Sequence, residues 1–360
     1  MRTSIIGVGA VGGALAALFD RAGHEITAIL RPESSTAAII QRDGLRLSGA
    51  RGTHLARIRV AHELPENTEL VIVATRTFQT DAALRAHAAR LGPAGSLSRV
   101  PVVIAQNGLD GPQRAVSALR RADTGGVFGA LALFPATQRA PGDTVLTGDG
   151  RVCLAPARPQ EFATAKQLAS FFDDAFPTLA LPRLYPALWS KLLVNQVNAL
   201  PAITGKSVQF TCRHPLTSAI LARSLTEAVA VADAHGIRCI NIGVLTPAHT
   251  SMIRAGEALT VVRSRLATAF GVRPNPASTL QAIRRGQPTE IDDLNGAVAR
   301  AAAQARLPAP VNTALTALVH EVSRSGRHLS LAELRRRMAK LGGADRAGAV
   351  AECGGATLPQ

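Results

Sequence analysis

Thr3-Ser4-Ile5-Ile6-Gly7-Val8-Gly9-Ala10-Val11-Gly12-Gly13 is the stretch that decides the fold. Thr3 to Ile6 reads as a short apolar strand, Gly7 to Gly13 as a glycine loop of the form GxGxxG, and Ala14 to Ala22 as a helix. The motif is informative because of its place, directly after a strand and at the opening of a helix. Gly7 would allow the tight turn, Gly9 the close approach of a pyrophosphate to the backbone, and Gly12 the packing of helix on strand. The helix would then offer the phosphates its free N–H groups and the positive end of its dipole. Gly7, Val8, Gly9, Ala10, Val11 and Gly12 are therefore the expected dinucleotide cradle, with a glycine-rich structural turn as the plainer alternative.

Working outward, Glu25 to Leu30 is a second strand and completes a βαβ unit. It ends in Ile29-Leu30-Arg31-Pro32, where an NAD-specific protein would usually carry an acid for the ribose 2′-hydroxyl. A guanidinium suits a 2′-phosphate that a carboxylate would repel, so NADPH is the expected cofactor. Leu70 to Ala74, Val102 to Ala105 and Val127 to Leu133 are further strand candidates, each ending in polar or glycine-bearing residues. Ligands of doubly wound sheets bind at such carboxyl ends. Arg76 would add a second positive charge near the phosphates, or be an ordinary surface arginine. Gln106-Asn107-Gly108 would lie near the nicotinamide end. Residues 144–154 read as antiparallel strand material around Gly148-Asp149-Gly150 that closes the first domain.

From about Leu181 the texture becomes helical. Helices are expected at Pro186 to Leu200, Pro215 to His235, Pro247 to Leu266, Leu280 to Arg285, Glu290 to Ala305 and Asn312 to Ser323. The 360 residues suffice for two cores. The expected division is an α/β Rossmann domain over 1–180, an all-α domain over 181–328, and an extension over 329–360. The extension would hold one amphipathic stretch, Leu331 to Leu341, before a Gly/Ala-rich tail expected to be disordered. The site is expected in the cleft between the two domains, closing on the cofactor.

Composition narrows the function classes. The net charge is +15, but the arginines are dispersed apart from Arg335, Arg336 and Arg337, and aromatics are only 3%, so stacking residues for single-stranded nucleic acid are lacking. No apolar run reaches a membrane-spanning length, and the N-terminus enters the glycine loop within seven residues, so a soluble cytoplasmic protein is expected. Cys153, Cys212, Cys239 and Cys353 show no metal or disulfide spacing and read as buried or idle thiols, and no metal is expected.

Lys191, Asn195 and Asn198 stand at i, i+4 and i+7 on an otherwise apolar helix, one face of its surface. Buried unpaired they would be costly, so they line a cavity or belong to a satisfied polar network. Glu290 falls at the first turn of the helix that follows it, where a carboxylate also complements the dipole. Ser278, twelve residues upstream, could equally be a plain cap.

Taken in order, these features resemble the ketopantoate reductase family over roughly residues 1 to 325. The resemblance rests on the GxGxVG loop, Arg31, Arg76 and Gln79 after the third strand, the Gln-Asn-Gly turn and the Pro141-Gly142 region. It continues with Trp189-x-Lys191-x-x-x-Asn195, Glu227 in Thr-Glu-Ala-Val-Ala-Val-Ala, Ser278-x-Leu280-Gln281 and Thr-Glu-Ile-Asp-x-Leu-Asn-Gly. It implies a C-terminal domain like that of 6-phosphogluconate dehydrogenase. It implies Lys191 as general acid, Glu290 as the carboxylate that orients lysine and substrate, and Ser278 as a holder of the substrate carboxylate. Asn107, Asn195 and Asn198 would position substrate, Asn107 also the nicotinamide, and Gln79 would join the cofactor set. Hydride addition to a 2-keto acid puts negative charge on the carbonyl oxygen, which an ammonium stabilises and protonates. Whether burial or Glu290 prevails on the Lys191 pKa is left open by the sequence.

Two positions depart from the family pattern. Ala199 stands where the family usually has its second helix asparagine, with Asn198 one residue earlier, and Arg76 replaces a common lysine. The expected function is NADPH-dependent reduction of a 2-keto acid, 2-dehydropantoate to (R)-pantoate in pantothenate synthesis. A relative acting on another branched 2-keto acid, a carbonyl or an imine is the alternative, and an NADP-binding regulator the non-enzyme one. The expected partners are the small keto acid and a second copy in a homodimer, with no nucleic acid and no membrane.

Overall fold

The computed structural model describes residues 1–121, 126–242, 244–271 and 274–340. The chain divides into two units, Met1–Leu188 and the residues from Trp189 onward.

In the first unit β1 (Arg2–Ile6) pairs in parallel with β2 (Glu25–Ile29) on one side and, on the other, with β6 (Leu70–Val73). β7 (Val102–Ala105) and β8 (Val127–Ala132) continue the parallel run beyond β6, and β5 (Arg59–Ala61) borders β2. The strands Leu-Val-Ile-Val of β6 and Val-Val-Ile-Ala of β7 are buried at every position, as expected of parallel strands covered on both faces. On one face α1 (Ala10–Arg21) packs its Leu15, Leu18 and Phe19 with Ile5, Phe171 and Phe172. On the other, Leu84 and Ala115 cover Val71, Val73 and Ile104. Phe19 stacks on Phe171 at 4.4 Å between ring centroids within this core.

The sheet is not purely parallel. β11 (Val152–Pro156) runs antiparallel to β8, and β12 (Thr178–Ala180) pairs with β11. β3 (Leu45–Gly49), β4 (His54–Ala56), β9 (Ala136–Ala140) and β10 (Asp143–Leu146) form a second sheet in the order β4-β3-β10-β9. The hairpin expected around Gly148-Asp149-Gly150 does not form, because its two arms belong to different sheets. Val152–Pro156 is buried throughout and must be covered on both faces, whereas Asp143–Leu146 alternates and lays one face against α1.

The second unit is helical among its described residues. α2 (Tyr185–Asn195) enters it, followed by α3 (Ala199–Thr204), α4 (Val208–Arg213), α5 (Pro215–Ala234), α6 (Pro247–Arg254), α7 (Ala277–Arg284), α8 (Asn295–Gln304) and α9 (Pro310–Ser325). α5 packs against α4, α6, α8 and α9. The helix expected over 186–200 changes type: after Asn195 the chain tightens into a 3-10 turn, Gln196–Asn198, before α3. Pro201 explains this, since its ring would clash with the carbonyl of Val197 in a continuous α-helix and it has no N–H to give. The helix expected over 247–266 is interrupted at Gly256, φ 87°. Residues 331–340 are helical, and the expected tail, including Cys353, lies outside the described residues.

Candidate active site

The carboxyl ends of four adjacent strands, in the order β7-β6-β1-β2, gather the residues expected to hold a dinucleotide. Gly7 has φ 91°, a conformation only glycine adopts freely, and a Cβ on it would stand 2.9 Å from the backbone nitrogen of Thr75. A Cβ on Gly12 would collide with the carbonyl oxygen of Gly7, so this glycine is required by helix and loop packing. Gly9 differs, since a Cβ there would meet nothing within 4 Å. Its open side leaves room for a ligand against the loop backbone. α1 begins after Gly9 with no side-chain cap and no acidic residue in its first turn. Gly13 N donates to Gly9 O at 2.8 Å, leaving the amides before it free for an anion.

Arg31 follows β2 with its side chain 82% exposed and, among the described residues, Glu33 at 3.6 Å as its ionic neighbour. Arg76 follows β6, half-buried, and its carbonyl accepts from the amide of Gln79, whose side chain is exposed. Gln106, after β7, donates from Nε2 to the Thr75 carbonyl at 2.7 Å and accepts from the Thr80 hydroxyl at 2.8 Å. Thr77 Oγ1 donates to the Asn107 carbonyl at 3.4 Å. These bonds tie the two segments that carry Arg76 and Asn107 to one another. Gln138 on β9, which sequence reasoning missed, donates to Val8 O at 3.4 Å and so braces the glycine loop from the second sheet.

In the second unit, Lys191 and Asn195 are half-buried on the last turns of α2. Among the described residues Lys191 makes no hydrogen bond and no ion pair, and burial lowers the pKa of its ammonium below the usual 10.5. Asn198, 7% exposed, lies in the 3-10 turn rather than on the α-helix, yet its Nδ2 donates to Asn195 Oδ1 at 3.4 Å. Three residues per 3-10 turn bring it back above Asn195. Ser278 is exposed at the second position of α7, and Glu290, half-buried, precedes a 3-10 turn, Ile291–Asp293, not the α-helix itself.

Ser278 is delivered by a braced loop that no motif announced. The buried Gln209 donates to Phe270 O at 2.8 Å and accepts from Asn275 N at 2.9 Å, while Asn275 Oδ1 accepts from Ala277 N at 2.8 Å. Ala277 is held at φ 62°, a strained value for a residue with a Cβ, immediately before Ser278. Glu227 is a cap rather than a site residue: its carboxylate accepts from Val311 N at 2.8 Å, and from Asn312 N at 2.9 Å and Nδ2 at 2.7 Å, at the start of α9. Among the described residues no group of three or more His, Cys, Asp or Glu is placed to hold a metal ion.

A glycine loop between strand and helix, a cation after β2 and a helical unit carrying a desolvated lysine define a dinucleotide-binding oxidoreductase architecture. Comparison with known proteins gives the family. Residues 3–159 match "Ketopantoate reductase PanE/ApbA" and residues 183–323 match "Ketopantoate reductase PanE/ApbA C terminal". The chain is 26% identical to a 2-dehydropantoate 2-reductase of Halobacterium salinarum, over 91% of this chain and 100% of that protein. It is similar to the crystal structure of a PanE/ApbA family ketopantoate reductase from Ralstonia eutropha, with TM-score 0.73 and 27% identity over 91% of this chain and 100% of that one. D-mandelate dehydrogenase, solved with NADH and anilino(oxo)acetate, shares the fold at TM-score 0.75 and 20% identity, over 90% of this chain and 99% of that one. The chain belongs to the ketopantoate reductase family, and so to the oxidoreductases that use a nicotinamide cofactor.

Proposed function

We propose that this chain reduces a 2-keto acid to the 2-hydroxy acid with NADPH, and that its substrate is 2-dehydropantoate, giving (R)-pantoate for pantothenate synthesis. The observation that carries the reading is Lys191, a half-buried ammonium with no partner among the described residues and a pKa lowered by burial. Such a group is poised for a ligand that brings its own negative charge. The reading extends to a cytoplasmic homodimer with no nucleic-acid partner.

Gly7 to Gly12 would hold the pyrophosphate, Arg31 the 2′-phosphate, and Arg76, Gln79 and Asn107 the rest of the cofactor. The bound nicotinamide supplies the hydride. Lys191 donates the proton to the keto oxygen as charge develops there, a role worth roughly 100- to 10,000-fold in rate. Asn195 orients the substrate carbonyl, Ser278 holds the carboxylate, and Glu290 orients Lys191 and the substrate.

Asn198 supports a second reading. Its amide is turned toward Asn195, and Ala199 stands where the family usually offers an amide to the ketopantoate hydroxyl. The D-mandelate dehydrogenase likeness goes in the same direction, toward a different branched or aryl 2-keto acid. NADPH oxidation at 340 nm with ketopantoate and a panel of such acids decides between the two. Turnover should depend on Lys191, and Lys191→Ala should cost roughly 100-fold or more. Undiminished turnover in Lys191→Ala would remove the assigned general acid. Arg31→Ala should weaken NADPH far more than NADH, and equal losses would detach Arg31 from the 2′-phosphate.

A further inference from the structure

The segment bearing Lys191 and Asn195 and the segment bearing Glu290 are joined by a chain of buried amides. Gln196 follows Asn195 directly, and Asn295 lies five residues after Glu290. Asn295 Nδ2 donates to Gln196 Oε1 at 2.8 Å and to Asn312 Oδ1 at 3.0 Å. The Ser224 hydroxyl of α5 stands 2.9 Å from Gln196 Oε1 and 3.0 Å from Asn312 Oδ1. Asn312 passes the chain on to Glu227 Oε2 at 2.7 Å, and Gln196 Nε2 returns to the carbonyl of Leu192 at 3.1 Å. Gln196, Ser224, Asn295 and Asn312 are all 0% exposed. The Ser224 proton can go to only one of its two acceptors and, among the described residues, Asn295 Oδ1 is left without a partner, yet Gln196 Oε1 and Asn312 Oδ1 both accept from Asn295, so a shift of either segment breaks several bonds together.

Two backbone features mark the places where the link is made. α2 ends at Asn195 and gives way to the 3-10 turn, which frees Gln196 from α-helical register. Leu294, at φ −108° and ψ −99°, separates the turn after Glu290 from α8. Lys191 and Asn195 ride on the last turns of α2, Glu290 lies outside the helix that follows it, and the two segments are tied to one another through side chains next to the reactive ones.

We propose that Gln196, Ser224, Asn295 and Asn312 form a positioning network that fixes the register of Lys191 and Asn195 against Glu290. The proposal rests on the roles assigned above to Lys191 and Glu290, and its test does not depend on turnover alone. The chain has only four lysines, Lys166, Lys191, Lys206 and Lys340, so a reductively 13C-methylated or isotope-labelled protein gives a resolvable lysine titration. The full chain is compared with Gln196→Met, which keeps volume and removes the acceptor, and with Ser224→Ala, a smaller change that guards against loss of folding. In both, the Lys191 titration should move by at least half a pH unit, NADPH affinity should stay within roughly twofold, and kcat per folded molecule should fall roughly 10- to 100-fold. The double variant should be no worse than the more damaging single one. An unchanged Lys191 titration with unchanged kcat per folded molecule overturns the network's role, as would losses that multiply. If the wild type turns over no keto acid yet the Lys191 titration moves in the variants, the substrate reading fails and the positioning network stands.

Discussion

Gly9 and Gly12 occupy one loop under opposite constraints, and the difference is open to measurement. A methyl on Gly12 would be driven into the carbonyl of Gly7, whereas a methyl on Gly9 would point into empty space. Gly12→Ala should therefore destabilise the first unit by about 1–3 kcal/mol, the usual cost of overpacking, seen as a lower Tm without any ligand. Gly9→Ala should leave the Tm almost unchanged and weaken NADPH roughly 10- to 100-fold, because the methyl occupies the space the pyrophosphate needs. If Gly9→Ala bound NADPH normally in a titration, the open side of this residue would not be the phosphate site. Lys191 gives the second residue-scale prediction. Its pKa is lowered by burial, so the proton needed for reduction is lost as pH rises through a value below the ordinary 10.5. The kcat profile should show an alkaline limb there, absent in Lys191→Arg, whose residual rate should be flat. A wild-type rate constant up to pH 10.5 would assign the proton to another donor.

At the scale of elements, the sequence was most legible where local chemistry decides structure. The strand Thr3 to Ile6, the strand Val102 to Ala105 and the helix that begins with Pro215 needed only apolar pattern and end signals, and all three form within a residue or two of the expected bounds. The reading failed where a distant partner decides. Nothing within 144–154 tells that one arm pairs with Leu45–Gly49 and the other with Val127–Ala132. The same holds for the site: the glycine loop was readable because its spacing carries its mechanism, but Gln138, Gln209 and Asn312 are single amides whose partners lie far away in sequence. Glu227 belongs with them, and its place at the start of α9 has a testable consequence. Burial raises its pKa above the ordinary 4.5, against the opposing pull of the Asn312 and Val311 hydrogen bonds. A raised carboxyl pKa means the folded state favours the protonated form. Its contribution to stability is therefore complete below about pH 4.5 and is lost as pH rises through the folded value. The Tm advantage of the wild type over Glu227→Gln should shrink between pH 4 and pH 8. A difference constant across that range would mean that the hydrogen bonds cancel burial, and one that grows with pH that they outweigh it.

For the whole molecule, the question is what a net charge of +15 does when aromatics are few and the arginines are dispersed apart from Arg335 to Arg337. Among the described residues no helix is long and apolar enough to cross a membrane. Many of the arginines are committed to structure: Arg121 is fully buried, each of its three guanidinium nitrogens donating to one of the carbonyls of Leu91, Leu97 and Val100, with burial lowering its pKa to about 10. Arg2, Arg51, Arg90 and Arg254 sit within 2.8 Å of carboxylates. The net charge of +15 is what is left once every acid is counted, and both proposed ligands, NADPH and a keto acid, are anions. The field of such a charge raises the rate of encounter without adding contacts, and it is screened once the Debye length falls below the distances over which it acts, from about 30 Å at 0.01 M salt to about 10 Å at 0.1 M. Raising the salt from 0.01 M to 0.3 M should therefore lower kcat/KM for NADPH by roughly tenfold while kcat at saturation changes little. Stopped-flow binding should place the loss in the association rate. If the association rate is flat in salt, or if kcat falls in parallel, the excess charge does not steer the cofactor, and its explanation must be sought in the surface arginines themselves.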